Sequence, residues 1–447
     1  MTAFFAASHN VTHYHGGWRH PEARHNFLSA EFYLDVARTL ERGLFDLVFL
    51  PDCQAVEDRY GDSLEAGVGL GAQGAVFLDP ITVLPLLAAE TTKIGLGATI
   101  STTYCHPFAV ARTLASLDHL SGGRAAWNIV TSLNASEARN YGLTSHLEHD
   151  ARYARADEFV TVTEGLWRSW DPDALVLDRA AGVFADPTKV AYLNHQGEWF
   201  SVRGPLPLPH SPQGRPVIIQ AGTSPQGRRF AARWADLVFV IAPNRSALKA
   251  IYDDIKTKAA EAGRDPDALR VIEAIIPIVG KTEAEAREKE QFLTSLVDPR
   301  AGLSSLSSHT DVDFSRFNLD DPMETVLSHI DSIGGSRGQF QLVLDATRTS
   351  GGTLADLGRQ YGWVMVERFA GTADQIASRI AEYFTEPIVD GFAISPVALP
   401  ATYREFVDHV VPALQEIGVF HRGYEDGATL RERLALPYVP VAAQAPV

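Results

Sequence analysis

Two histidines near the start of the chain, His13 and His15, have the spacing of a possible metal-binding motif. Imidazoles at positions i and i+2 can share one ion, as in barrel hydrolases, provided that later strands supply the other ligands. Those strands do not supply them, since the fourth ends in NIVTS and the fifth in QAG. We therefore predict no metal site and interpret His13 as a polar residue lining a pocket. The alternative interpretation of this motif is a metal-dependent hydrolase with a barrel fold.

Polar side chains close several strand-like segments. At the fifth segment, Thr223 and Ser224 stand directly before Pro225, which favours a helix start. Two hydroxyl groups at a helix amino terminus, where backbone N–H groups are free, form a ready anion site; a simple serine N-cap is the alternative. The side chains that close the second, third and fourth segments are Asp52, Thr99, Ser101, Asn128, Thr131 and Ser132.

His149 and Tyr153 are four residues apart at the start of a predicted helix, so they share a face and can contact one phosphate. Aromatic and aliphatic side chains at strand ends complete the set, with simple barrel packing as the alternative. A phosphate grip, amide and hydroxyl groups, and flat apolar walls suit a flat, phosphorylated heteroaromatic cofactor. We identify no nucleophile–base pair, so we expect the cofactor to carry the chemistry. The apolar residues are Phe5, Phe49, Phe239 and Ile241.

The elements that must position these residues alternate between strand and helix patterns. Most strand-like runs are continuously apolar, which is typical of parallel strands buried on both faces. Eight such units predict an α/β protein with a (β/α)8 TIM barrel, whose site lies at the carboxyl ends of the strands. A doubly wound open sheet is the alternative. The predicted strands are 4–7, 45–50, 94–100, 125–130, 217–221, 237–241, 271–279 and 389–394.

Four connections are longer than the few residues usual in such folds. We predict that they are insertions at the carboxyl-terminal face of the strands, within a single domain spanning residues 1–447. Their approximate bounds are 51–79, 131–150, 171–215 and 298–370.

Composition excludes several classes of partner. The chain has 447 residues and a formal net charge of −16, whereas nucleic acid and anionic membranes select for basic surfaces. Apolar runs reach about ten residues, too few to span a bilayer, and Cys53 and Cys105 lack any metal or disulfide spacing. The sequence shows no secretory signal pattern, so we expect a cytoplasmic protein with a small-molecule substrate.

Three long stretches resemble a known family. Residues 97–142 (GATISTTYCHPFAVARTLASLDHLSGGRAAWNIVTSLNASEARNYG), 147–170 (LEHDARYARADEFVTVTEGLWRSW) and 203–232 (RGPLPLPHSPQGRPVIIQAGTSPQGRRFAA) are similar to bacterial-luciferase-like flavin monooxygenases. The resemblance is to the nitrilotriacetate and dibenzothiophene-sulfone monooxygenase group. NVTHYHGGWRH, FLPDCQAVEDRYGDSLEAGVGLGAQGAV and LSSLSSHT resemble the dibenzothiophene-sulfone branch.

This resemblance implies a luciferase-like barrel that uses FMN in reduced form, delivered by a separate NAD(P)H:FMN reductase, with O2 as co-substrate. It also implies a homodimer or homotetramer. The implied reaction oxygenates an aromatic organosulfur compound of the dibenzothiophene-sulfone type and cleaves a C–S bond, giving a phenol sulfinate. Three alternatives stay open: the same chemistry on another substrate such as an aminopolycarboxylate, a deazaflavin-dependent reductase or dehydrogenase of the same superfamily, and a non-catalytic protein that binds FMN without coupling O2 to product.

The resemblance also implies roles for individual residues. His309, His13 and Ser132 are the candidate catalytic residues: the histidines would donate a hydrogen bond or transfer a proton, since histidine titrates near neutrality, and Ser132 would hydrogen-bond the reacting flavin. Alternatively, the histidines only shape the pocket. FMN would contact Asp52, Thr99, Asn128, Ser132, His149, Tyr153, Thr223 and Ser224. Substrate would contact Phe5, His13, Phe49, Phe239, Ile241 and His309.

Overall fold

The computed structural model describes residues 1–5, 8–9, 13–132, 134–222, 224–329 and 352–437. Thr223 and the middle of the predicted insertion 298–370 therefore lie outside the described residues. The described part of the chain contains thirteen strands: β1 (Thr2–Phe4), β2 (Leu47–Leu50), β3 (Gly95–Ser101), β4 (Ala125–Val130), β5 (Leu175–Asp178), β6 (Val183–Ala185), β7 (His195–Gln196), β8 (Ser201–Val202), β9 (Val217–Gln220), β10 (Leu237–Val240), β11 (Arg270–Val279), β12 (Glu367–Gly371) and β13 (Gly391–Ile394).

Eight of these strands close a parallel barrel in the order β1, β2, β3, β4, β9, β10, β11 and β13, with β13 pairing back onto β1. This confirms the predicted (β/α)8 TIM barrel. The strands form where the sequence has short, nearly continuous apolar runs, because both faces of each strand are covered. All seven residues of β3, for example, are buried, and so are all four of β2. That all 447 residues form one domain stays a prediction.

Alternate side chains of each barrel strand contribute to two separate cores. In β3, Leu96, Ala98 and Ile100 belong to the outer core between the barrel and its helices. The inner core lies inside the barrel and includes Phe49 and Phe239. This alternation is the period-two geometry of a strand, so it decides which residues at a strand end face the barrel mouth.

The helices surround the barrel, and none of those described is both long and apolar enough to cross a membrane. Several begin at a side-chain N-cap followed by proline, as at Asp79, Ser224 and Asp298. The α-helices are Ala30–Arg42, Leu64–Gly69, Pro80–Glu90, Pro107–Ser121, Ala135–Asn140, His149–Trp167, Pro225–Trp234, Arg245–Glu261, Glu283–Leu296, Pro299–Thr310, Met323–Ser328, Leu354–Tyr361, Ala373–Thr385, Ala401–Glu405, Val411–Ile417 and Leu430–Arg433.

The long connections differ in where they lie. Residues 51–79 follow β2 and residues 131–150 follow β4, as expected for insertions at the carboxyl ends of strands. The stretch 171–215 instead leads from the helix His149–Trp167 into β9, and it forms the two small hairpins β5–β6 and β7–β8. It therefore connects a helix to a strand rather than a strand to a helix.

The insertion 298–370 contributes a helix, Pro299–Thr310, that packs on the helix Leu354–Tyr361 around a small apolar core. Their backbones approach so closely that a Cβ on Gly302 would collide with the carbonyl oxygen of Gly358, so this position requires glycine. We call the helix Pro299–Thr310 the cover helix. The same insertion ends in β12, which pairs with Ile275–Val279 of β11 and which the sequence analysis missed.

Candidate active site

Three phenylalanine rings fill the barrel at its carboxyl end. Phe4 on β1 lies 4.7 Å from Phe49 on β2 and 5.0 Å from Phe239 on β10, measured between ring centroids. His13 stacks on Phe4 with a centroid separation of 4.3 Å and an interplanar angle of 5°. Ile241, which follows β10, packs against the same inner core. We call the four aromatic rings of Phe4, His13, Phe49 and Phe239 the aromatic floor; Phe4, His13 and Phe239 are stacked, whereas Phe49 meets Phe4 edge-on at 64°.

Phe5, predicted as a substrate contact, is not part of this floor. The register of β1 and β2 places Phe4 opposite Phe49, so Phe4 faces inward and Phe5 faces the outer core. There Phe5 packs against Tyr33 and Tyr403. A shift of one residue along a strand moves a side chain to the other face of the sheet, and the sequence alone did not fix this register.

Of the two candidate catalytic histidines, His13 is buried and His309 is partly buried, and each has a hydroxyl partner. His13 Nδ1 lies 2.7 Å from Ser395 Oγ, and His309 Nδ1, on the cover helix, lies 2.7 Å from the Tyr361 hydroxyl. Burial lowers the pKa of His309 to about 4. Burial, and then the nearby His15, lower the pKa of His13 to about 3. Both imidazoles are therefore neutral at pH 7, and either can serve as a hydrogen-bond donor rather than as a cationic acid.

Thr99 and Asn128 form a polar pair on the inner face of adjacent strands. They stand opposite each other in the β3–β4 register, and Asn128 Nδ2 donates to Thr99 Oγ1 at 3.0 Å. Asn128 Oδ1 is buried and has no hydrogen-bond partner among the described residues. A buried amide oxygen without a hydrogen-bond donor lowers the stability of the folded protein. Such an oxygen is suited to accept from an N–H group at the edge of a heteroaromatic ring.

Ser132 follows β4 with a positive φ of 62°, which is uncommon for any residue other than glycine. Its Oγ lies 2.9 Å from Ser101 Oγ. Its carbonyl oxygen accepts a hydrogen bond from Arg152 Nη1, which also donates to His146 Nε2 at 2.7 Å. The sequence analysis predicted Ser132 but missed Arg152 and His146, which hold it in place from the long helix and the preceding loop.

His149, Tyr153 and Ser224 are brought together, as the sequence predicted for a phosphate site. Ser224 caps the helix Pro225–Trp234 by accepting from Gly227 N at 3.0 Å, and its Oγ lies 3.5 Å from His149 Nε2. The rings of His149 and Tyr153 are 5.1 Å apart. Thr223 lies outside the described residues. We call these three side chains, with the helix amino terminus, the anion cradle.

Two glycines shape this cradle, and the sequence analysis did not single them out. A Cβ added to either Gly222 or Gly227 would lie 2.8 Å from the Tyr153 hydroxyl oxygen. Both positions therefore need glycine for the tyrosine to approach the backbone. A helix amino terminus has a partial positive charge and free N–H groups, so the cradle can bind a phosphate.

Asp52 lies apart from the cradle, in the loop that follows β2. It accepts from Gln54 Nε2 at 3.0 Å. Burial, assisted by the nearby Asp79, raises the pKa of Asp52 to about 6. Among the described residues, no group of three or more His, Cys, Asp or Glu side chains is arranged to hold a metal ion.

This arrangement fits the cofactor implied by the sequence resemblance. The anion cradle matches a phosphate, and the unpaired Asn128 Oδ1 matches a ring N–H donor. Asn128, Ser132, Tyr153 and Ser224 would hold FMN by its two ends.

Comparison with known proteins identifies the class. Residues 7–391 match the luciferase-like monooxygenase family, so the chain belongs to that family and is an oxidoreductase. It is 53% identical to a dibenzothiophene-sulfone monooxygenase of Rhodococcus erythropolis, over 98% of this chain and 96% of that protein. The sequence-based assignment of family, fold and enzyme class is confirmed.

Solved structures agree with this assignment. The structure is similar to that of DmoA from Hyphomicrobium sulfonivorans, with a TM-score of 0.88 and 32% identity over 97% of this chain and 91% of that chain. It is also similar to a riboflavin lyase solved with a modified FMN and riboflavin, with a TM-score of 0.86 and 32% identity over 97% of this chain and 94% of that one.

Proposed function

We propose that the protein is the oxygenase of a two-component flavin system. It uses FMN reduced by a separate NAD(P)H:FMN reductase, together with O2, to oxygenate an aromatic organosulfur compound of the dibenzothiophene-sulfone type. A C–S bond is cleaved, and the product is a phenol sulfinate. The observation that carries the proposal is the aromatic floor, because its closely packed rings offer aromatic and apolar contacts to a fused aromatic substrate.

FMN, when bound, supplies the activation of O2. The anion cradle holds its phosphate, with Tyr153 and Ser224 as donors at the helix amino terminus. Asn128 would accept from the isoalloxazine edge, and Ser132 would lie next to the same edge.

The two neutral histidines act on the substrate. Each uses Nδ1 in a bond to a hydroxyl group, so Nε2 is the nitrogen that would contact the substrate. A neutral imidazole with its hydrogen on Nε2 donates to a sulfone oxygen and so fixes the orientation of the substrate. The cover helix carries His309 and keeps bulk water from the reacting groups.

An aminopolycarboxylate substrate is less well matched. Several carboxylates would need several cations, whereas the aromatic floor is apolar; the guanidinium of Arg152 lies beside Ser132. Arg152 Nη1 is already bound to the Ser132 carbonyl and to His146, 2.7 Å away. The observed set therefore favours a neutral, flat substrate.

Oxygen uptake and product analysis test the proposal. The purified protein is mixed with FMN, a generic flavin reductase, NADH and dibenzothiophene sulfone, with nitrilotriacetate in a parallel assay. We expect a phenol sulfinate whose formation depends on this protein. Hydrogen peroxide alone, at the rate given by the reductase, would contradict the substrate, and an absence of flavin binding would contradict the cofactor. Light scattering tests the expected homodimer or homotetramer.

A further inference from the structure

Three side chains from different elements form a continuous chain of hydrogen bonds beside Ser132. Arg152, on the helix His149–Trp167, uses Nη1 to donate to the Ser132 carbonyl, and the same Nη1 lies 2.7 Å from His146 Nε2. The other ring nitrogen of His146, Nδ1, lies 3.1 Å from the hydroxyl oxygen of Tyr104, in the loop after β3. An arginine, a histidine and a tyrosine therefore connect the helix to this loop at the carboxyl end of the barrel.

This chain of hydrogen bonds has a fixed direction, because one of its members can only donate. The arginine guanidinium has five N–H donors and no acceptor, so the lone pair of His146 Nε2 faces Arg152. Burial, and then the charge of Arg152, lower the pKa of His146 to about 4, so the ring is neutral at pH 7. In a neutral imidazole one nitrogen accepts and the other donates, which places the hydrogen on Nδ1. His146 therefore donates to the Tyr104 oxygen.

The Tyr104 hydroxyl keeps its own hydrogen for another acceptor. Among the described residues, the bond with His146 is the hydrogen bond that this hydroxyl makes, and that bond uses the oxygen as acceptor. Burial raises the pKa of Tyr104, which keeps the hydroxyl protonated at neutral pH. The ring stacks on Tyr141 with a centroid separation of 4.5 Å and an interplanar angle of 6°, so its plane is fixed as well. The result is an oriented O–H donor that is available to a ligand.

Tyr104 is close to two residues that are predicted to contact FMN. One imidazole ring separates its hydroxyl from Arg152 Nη1, which holds the Ser132 carbonyl. Burial, and then the nearby Asp52, raise the pKa of Cys105, which directly follows Tyr104. The loop after β3 thus lies near the loop after β2 as well as the loop after β4, and all three follow the carboxyl ends of barrel strands, where such sites are built.

We propose that Tyr104 is a further contact of FMN: its hydroxyl donates to an oxygen of the flavin outside the phosphate group, and His146 and Arg152 are positioning residues that aim this hydrogen. The inference rests on the proposed function, because it takes FMN as the group that binds next to Ser132. The ring carbonyl and ribityl oxygens of the flavin can all accept such a bond. The phosphate is assigned elsewhere, to the anion cradle at the start of the helix Pro225–Trp234.

Titration with oxidised FMN and with riboflavin, followed by quenching of flavin fluorescence without turnover, tests this hydrogen bond. Tyr104→Phe keeps the ring and its stacking and removes only the hydroxyl. We expect the affinity for FMN to fall by about threefold to tenfold, the equivalent of one hydrogen bond. The affinity for riboflavin should fall by the same factor, because riboflavin has the same oxygens outside the phosphate.

Variants of His146 test its positioning role. His146→Leu removes the donor to Tyr104 and lets the hydroxyl turn away, so the affinity for FMN should fall by about twofold to fivefold. His146→Asn should restore most of it, because the asparagine amide can place an N–H group where Nδ1–H stands. When Tyr104→Phe is already present, adding His146→Leu should change the affinity by less than about 1.5-fold, since the group that His146 aims is gone. A purely structural role would give the same loss in both backgrounds.

Tyr141→Phe is the matched control. Tyr141 stacks on Tyr104 and 46% of its surface is exposed, so this change removes a tyrosine hydroxyl from the same stack and leaves the chain of hydrogen bonds intact. Its affinities for FMN and riboflavin should match those of the wild type. Thermal denaturation checks that each variant folds. If His146→Leu does not fold, His146→Gln replaces it, because the longer amide keeps an acceptor near the Nε2 position and leaves no donor at Nδ1.

The inference is overturned if Tyr104→Phe binds FMN as tightly as the wild type, if it weakens FMN but not riboflavin, or if the losses caused by the Tyr104 and His146 changes add in full. Those outcomes leave the proposed function intact, provided that the wild type binds FMN and forms the phenol sulfinate. Failure of the wild type itself to bind FMN would contradict the proposed function instead.

Discussion

The two ends of the barrel pair their buried carboxyl and amide groups differently, although the Nε atoms of Arg215 and Arg431 at the amino end also have no hydrogen-bond partner among the described residues. At the amino end, Asp236 directly precedes β10 and accepts from Ile218 N at 2.9 Å. It also forms ion pairs of 2.9 Å with Arg215 and with Arg431 from the carboxyl-terminal helix. Although burial opposes ionisation, the two arginines lower the pKa of Asp236 to about 2. This carboxylate is thus paired on both oxygens.

At the carboxyl end, polar groups that are buried to the same degree lack partners. Asn128 Oδ1, Glu137 Oε2 and one nitrogen of His9 have no hydrogen-bond partner among the described residues, and neither ring nitrogen of His15 has a side-chain partner there. Paired polar groups stabilise the fold, whereas unpaired ones cost free energy that a ligand can offset. In barrel enzymes generally, the amino end serves stability and the carboxyl end serves function.

Breaking the ion-pair network around Asp236 should have the largest effect on the stability of the fold. Asp236→Asn leaves the buried Arg431 without a counter-charge and removes one of the two carboxylate partners of Arg215, the other being Glu164, so the free energy of unfolding should fall by about 3–5 kcal/mol. Urea unfolding measures it. The control is Arg38→Gln, which removes an exposed ion pair with Glu90 and should cost less than about 1 kcal/mol. Equal losses in the two variants would contradict the comparison.

The same carboxylate predicts the response to acid. A lowered native pKa contributes stability above the unfolded value of about 4, and this contribution is lost as pH falls toward 2. The wild-type protein should therefore lose about 2 kcal/mol more than Asp236→Asn between pH 4 and pH 2. Parallel pH profiles for the two proteins would show that Asp236 is not held ionised by its arginines.

The next largest effect, on the affinity for FMN, should come from placing a methyl group in the anion cradle. Gly227→Ala places a methyl group 2.8 Å from the Tyr153 oxygen and 3.0 Å from the backbone of Gly222. We expect FMN to bind about a hundredfold more weakly, equivalent to two lost charge-assisted hydrogen bonds. Riboflavin, which lacks the phosphate, should lose much less. Gly69→Ala, where a Cβ meets nothing within 4 Å, is the control.

Much of the fold could be predicted from the sequence, because parallel strands are continuous apolar runs. β4 spans Ala125–Val130 as predicted, and β11 differs by one residue at its start. β12 was missed because it is short, partly exposed and begins with the polar residues Glu367 and Arg368. Its pairing with β11 decides its structure, and pairing between distant segments leaves little local signal.

The site was predictable where its residues close a strand or cap a helix, as for Asn128, Ser132 and Ser224. The site was not predictable where contacts between distant segments determine which way a side chain faces or what its pKa is. Phe4 rather than Phe5 faces the mouth because of the strand register. The low pKa of His309 results from the burial of the cover helix, so the expected titration of this histidine near neutrality does not apply.

A smaller effect, on turnover alone, is expected for His309→Phe. The ring is retained and the hydrogen bond to substrate is lost, so turnover should fall about tenfold while the FMN dissociation constant changes less than about twofold. Because His309 is neutral above about pH 5, its contribution should not vary between pH 6 and 8. Tyr361→Phe, which removes only the partner of Nδ1, should have a weaker effect. Lost FMN affinity with normal turnover at saturating FMN would contradict this role.

The smallest effect on stability is expected for replacing a buried amide at the carboxyl end of the barrel, Asn128. The comparison is with a buried amide at the amino end, Gln213. Gln213 donates to Asp118 and to the Ala125 carbonyl, and it accepts from Arg431 N at 3.0 Å. Gln213→Met should therefore lower the free energy of unfolding by about 2–3 kcal/mol and leave FMN binding unchanged.

Asn128→Leu removes an amide whose oxygen has no partner, so the lost bond to Thr99 is offset by the lost cost of the unpaired Oδ1. The free energy of unfolding without FMN should stay within about 1 kcal/mol of the wild type, while FMN affinity falls about tenfold. Urea unfolding and fluorescence titration measure the two quantities on the same preparation. If Asn128→Leu destabilises the protein as much as Gln213→Met, the Asn128 side chain is a structural group. The amino end would then not differ from the carboxyl end in its contribution to stability.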